Sequence, residues 1–195
     1  MRKVFNILAA SALAISPAWA QVGPGGGGGG ATPAGGGSIS AALNKGPVSV
    51  TPTVTASAYT ANNAIGGLQT VSIFRTATQP SGILNFISLA SKGGITAAEA
   101  LYIFTKSPAS TCTDKSAFVL SSTDLPYLVG GVPITLTPAA TAGTTQTTAT
   151  TSLNVSVSNQ DSSPTANLYV CAVTTGTPTP ASTTDLIFNY SILQD

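Results

Sequence analysis

The chain is predicted to be all-β: a single antiparallel two-sheet sandwich of jelly-roll type. Three observations carry that expectation. Short segments alternate apolar residues with Ser, Thr or Asn at the period of a half-buried strand. Clusters of Pro, Gly, Asn and Ser separate them at the spacing of turns. Stretches of helix formers are nearly absent, and charge is scarce at 7% of residues, with no histidine. A soluble chain usually carries about a quarter charged residues, so Thr, Ser, Asn and Gln must supply the polar surface. Threonine is β-branched and suits a pleated, half-exposed face.

The N-terminal region reads as an export apparatus. Arg2 and Lys3 precede an apolar run through Ile15 that closes at Ala18-Trp19-Ala20, the pattern of a secretory signal peptide. The run is shorter than the roughly 20 residues of a spanning helix. Residues 21–46 form a linker with glycines at Gly25–Gly30 and Gly35–Gly37. Such a tract stays flexible, either as a tether or as a plain disordered terminus. The folded domain is expected over 47–195, long enough for one compact core.

Within that domain Val48-Ser49-Val50 starts a strand, interrupted by Pro52 and resumed at Thr53-Val54-Thr55; the proline marks an edge or a bulge. Leu68–Phe74 follows a turn at Asn62–Gly67, and Ile83–Ala90 reads as a central strand. Leu101–Phe104 sets Leu101 and Ile103 opposite Tyr102 and Phe104. Val132–Thr137, Leu153–Ser158, Asn167–Thr174 and Asp185–Leu193 complete the set. Two pieces carry helical signals: Thr96–Ala100, and a single turn at Ser122–Leu128 that tolerates Pro126 early. The threonine-rich run Thr141–Ser152 is an exposed hairpin loop or an edge ribbon. An outer-membrane barrel is disfavoured, since its strands run about 9–11 residues between aromatic girdles.

Chemistry is sparse. Without histidine there is no Ser-His-Asp or Cys-His arrangement, no imidazole ligand for a metal, and no cofactor motif. Glu99 is the sole glutamate, and the remaining acids are scattered, with no alternating Asp/Asn of a calcium loop; Asp114 and Asp124 read as turn or cap residues. A near-neutral balance gives no electrostatic case for nucleic acid. Cys112 and Cys171 are the only cysteines. In an exported chain they are expected to form a structural disulfide, worth about 4 kcal/mol by chain entropy; two buried free thiols are the alternative. Tyr59, Tyr102 and Tyr127 are candidate ligand contacts, since a ring can stack on a sugar. The competing reading places tyrosines in core and edge positions with the hydroxyl at the surface.

Several stretches resemble small tailed-phage virion structural proteins. They are Val50-Thr51-Pro52 with Ala58-Tyr59 and Gly66-Gly67-Leu68; Leu101-Tyr102-Ile103-Phe104; Thr113–Phe118; Ser122-Thr123-Asp124-Leu125; Gly130-Gly131-Val132; Leu168-Tyr169-Val170; Thr177-Pro178-Thr179; Ser182–Leu186; and the terminal Ile192-Leu193-Gln194-Asp195. The resemblance implies a β-rich particle component with no catalytic residues. The signal peptide and the cysteine pair set this chain apart from cytoplasmically assembled virion proteins. The expectation is therefore an exported, non-enzymatic structural or surface-displayed module. Its partners would be other copies of itself or a cell-surface or particle component. A carbohydrate- or host-surface-binding module is the alternative, as is a fibre subunit in which Ser38–Ala56 adds as a strand to the next copy.

Overall fold

The computed structural model describes residues 45–74, 77–78, 80–138 and 146–194. The expected signal peptide, the linker up to residue 44 and Thr141–Thr145 lie outside them. Among the described residues the chain forms β1 (Lys45–Val50), β2 (Ala64–Ser72), β3 (Ser81–Ser91) and β4 (Ala98–Phe104). After a 3-10 turn (Ser122–Tyr127) come β5 (Leu128–Thr135), β6 (Thr137–Pro138), β7 (Thr147–Ser158), β8 (Asn167–Thr174) and β9 (Leu186–Leu193).

These strands make two antiparallel sheets, ordered β1-β9-β3-β7-β6 and β2-β8-β4-β5. Setting aside the two-residue β6, the pairs β1/β9, β2/β8, β3/β7 and β4/β5 nest one inside the other. That is a long antiparallel ribbon rolled on itself. The rolling adds the lateral pairings β3/β9 and β4/β8. The result is jelly-roll topology, the fold class expected from the number and spacing of the strands.

The core lies between the sheets. Leu84, Ile87 and Leu89 of β3 and Phe188, Tyr190 and Ile192 of β9 meet Leu101 and Ile103 of β4 and Leu168, Val170 and Ala172 of β8. The odd–even alternation of β4 holds, with Tyr102 and Phe104 on the opposite face. β3 is central, flanked by β9 and β7.

Three expectations need correcting. β1 starts at Lys45, ahead of the expected Val48, and residues 53–55 are not a strand, although Val54 is buried in the core. β2 begins at Ala64 and runs through the expected turn, because Gly66 and Gly67 adopt φ of +76° and +67° and form a bulge against β8. A Cβ on Gly66 would lie 2.6 Å from Pro52 Cβ, so only glycine fits there. The helical signal at Thr96–Ala100 loses to tertiary pairing: Ala98–Ala100 open β4, held by β5 and β8. Of the two readings of Thr141–Ser152 the ribbon holds from Thr147 on: β7 pairs with β3 along its length and with β6 only at Thr147 and Thr148.

Among the described residues each sheet edge carries an interruption of the kind that blocks strand addition. β1 has Pro47 and an irregular register, and β2 has its glycine bulge. β5 has Pro133 and β6 has Pro138. Beyond β6, the open side of β7 carries Asn154 at φ +52° within a register shift.

Candidate functional site

The two sheets differ in how their outer faces are finished. The connection from β4 to β5, residues 105–127, forms a strap against the outer face of the second sheet. Ala64, Phe104, Tyr169, Cys171 and Val173 are buried there, with Tyr102, Cys112, Phe118, Leu120 and Leu128 packed on them. The Cys112–Cys171 disulfide, with Cα atoms 6.0 Å apart, ties the strap to the middle of β8. Backbone bonds stitch it further: Phe118 N–H donates to Asn62 O, Ala64 N–H to Ser116 O and Thr105 N–H to Tyr127 O.

The aspartates brace loops. Asp114 accepts from Thr55 Oγ1, Tyr59 Oη and Gly66 N, each at 2.6 Å. Asp124, inside the 3-10 turn, accepts from the Ala109 and Ser110 backbone and from Ser110 Oγ. Asp161 accepts from Ser107 N, Asn159 Nδ2 and Tyr169 Oη. Asp185, fully buried, accepts from Ser91 Oγ, Gly93 N and Ala181 N. Burial pushes Asp114, Asp124 and Asp161 upward, but these donors outweigh it and hold all three below the usual carboxylate range. By sequence Asp114 and Asp124 are turn or cap residues; nothing local signals their partners, which lie up to 59 residues away.

The candidate tyrosines part company. Tyr59 is 2% exposed and spends its hydroxyl on Asp114, so it has no ring face for a ligand. Tyr102 is half-buried with its ring 4.5 Å from that of Phe118. Tyr127 is half-buried beneath the Lys106 ammonium, 4.6 Å from its centroid, a cation–π contact. Tyr169 and Tyr190 are buried, Tyr190 donating to Gln69 Oε1 at 2.9 Å.

Glu99, the sole glutamate, is set apart by its surroundings. It occupies an inward position on β4, is 1% exposed, and neither carboxylate oxygen has a hydrogen-bond partner among the described residues. Burial pushes it up to about 8. Two open clefts, of about 400 and 360 Å³, lie elsewhere, one between Gly93–Ala97 and Gly176–Thr179, the other beside Gly82, Thr105, Ser156 and Gln160. Neither is lined by an ionisable side chain. Among the described residues no three His, Cys, Asp or Glu side chains are grouped to hold a metal ion. No helix among them is long and apolar enough to cross a membrane.

The first sheet presents an outer face of another kind. Across it Ser49, Asn189, Ser88 and Thr150 stand in one row. Ile187, Ala90 and Thr148 form a second row. All seven side chains are exposed or half-buried. β3, β7 and β9 contain no charged residue, and β1 only Lys45 at its start. Alternation in the sequence shows which residues face outward; only the register shows that they align.

No protein-family model matches the chain, and no curated protein or solved structure matches it either.

Proposed function

We propose that this chain is an exported, non-enzymatic structural module that works by protein surface contact, displayed at a cell surface or carried on a particle. The observation that carries this reading is the disposition of charge. Four aspartates are turned into acceptors for loop backbone and hydroxyl groups, and Glu99 is sealed in the core. The first sheet is left with a broad neutral face of hydroxyl, amide and small apolar groups. Such a face loses little on leaving water against another protein, because no ion has to be desolvated.

The resemblance of residues 48–137 and 167–195 to tailed-phage virion structural proteins supports the same reading. So does the disulfide, which fits an oxidising compartment. A phage-type β domain reused in an exported protein reconciles the two. Polymerisation by strand addition gains no support: Lys45–Val50 already pairs with β9 of its own sheet, and the edges are interrupted.

Fractionation of cells expressing the full chain, with intact-mass analysis and glycan-array screening of the product, tests the proposal. The expected result is a non-cytoplasmic product starting at Gln21 that retains no glycan. Glycan retention abolished by Tyr127→Ala would put the sugar-binding reading in its place. An uncleaved cytoplasmic product would remove export from the proposal.

A further inference from the structure

We infer that the partner of the neutral sheet face is a second copy of this chain, packed face to face through the outer surface of β1-β9-β3-β7. The inference rests on the surface-contact reading above and names its partner. Three observations point to a copy. First, the other sheet's outer face is already closed by the disulfide-tied strap, whereas Ser49, Asn189, Ser88 and Thr150 stay exposed or half-buried. Second, charge decides complementarity. A charged face repels its own copy unless its pattern is symmetric, while a face without ions is complementary to itself under a two-fold axis. The strands β3, β7 and β9 contribute no ion at all. Third, the interrupted edges leave faces, not edges, as the route to association.

Size is adequate. Four strands about 4.8 Å apart, β1 six residues long and the other three at least eight, span roughly 500 Å² in projection at about 3.3 Å per residue. Two such faces together bury on the order of 1,000 Å², the threshold of a specific interface. Ser88 lies at the centre: it is paired with Thr150 on one side and Asn189 on the other, and its Oγ accepts from Asn189 Nδ2 at 3.3 Å. The geometry therefore places Ser88 of one copy close to the two-fold axis and near its counterpart.

Sedimentation equilibrium of the full exported chain, taken up to about 100 µM, tests this. The wild type is expected to show twice the chain mass. Ser88→Arg sets two like charges across the axis and should weaken association at least tenfold, as should Ser88→Glu. Mixing the two variants should restore the doubled mass as a heterodimer, which also shows that both are folded. A wild type that stays monomeric over this range, or a Ser88→Arg variant that dimerises as tightly as wild type, would overturn the proposal. A monomer that is nonetheless exported and retains no glycan would remove only the self-partner and leave the surface-contact reading standing.

Discussion

Tyr59 and Asp114, 55 residues apart, are joined by a 2.6 Å hydrogen bond in which the phenol donates to the carboxylate. The bond fastens the loop after β1 to the strap between β4 and β5. Burial and then the Asp114 carboxylate raise the Tyr59 pKa, so the phenol stays protonated and remains a donor. Tyr59→Phe keeps the ring and deletes the bond. It should cost about 1–2 kcal/mol, read as a lower urea midpoint with an unchanged slope.

Acid should loosen the same braces. Asp114, Asp124 and Asp161 are held below their ordinary value of 3.8. Carboxyls with depressed folded values stabilise the fold fully above the unfolded value and lose that contribution as pH falls through the folded ones. Stability should therefore fall below about pH 4. Asp124→Asn should flatten part of that limb, as followed by thermal unfolding between pH 2 and 6.

Glu99 works in the opposite sense. Its folded value of about 8 exceeds the ordinary 4.5. A carboxyl raised on folding contributes fully below 4.5, and that contribution is lost as pH rises toward 8. The slope is about 1.4 kcal/mol per pH unit and the total on the order of 4–5 kcal/mol. Glu99→Gln, neutral at every pH and similar in shape, should abolish the slope between pH 5 and 8. An unchanged slope in urea titrations of the variant would refute the assignment.

Cys112 and Cys171 tie the strap over the second apolar cluster. The paired change Cys112→Ala and Cys171→Ala should cost about 2–4 kcal/mol. Hydrogen exchange should quicken first in residues 105–121, while β3 and β9 keep their protection.

Gly82 in β3 has no room for a side chain, since a Cβ there would sit 2.5 Å from the Leu193 carbonyl oxygen. That contact is backbone, and it cannot swing aside. Gly82→Ala should cost about 1–3 kcal/mol by overpacking. Gly131→Ala is the control: its Cβ would meet only the Tyr102 ring at 3.6 Å, an ordinary contact. Circular-dichroism melts of the two variants should separate them.

Period and punctuation in the sequence determined the all-β class and the positions of β3, β8 and β9. They also set the inward face of β4, because side chains alternate locally and turn residues act locally. The cysteine pairing was legible by elimination, there being two cysteines and one bridge. Tertiary structure decided the rest. The nesting order of the strands, the burial of Tyr59 and the isolation of Glu99 depend on contacts between segments far apart in the chain. So does the alignment of Ser49, Asn189, Ser88 and Thr150 in one row. Alternation tells which way a residue points within its own strand, whereas what it meets is set by register between strands. The helical signal at Thr96–Ala100 failed for the same reason: pairing with β5 and β8 outweighed the local preference of a few residues.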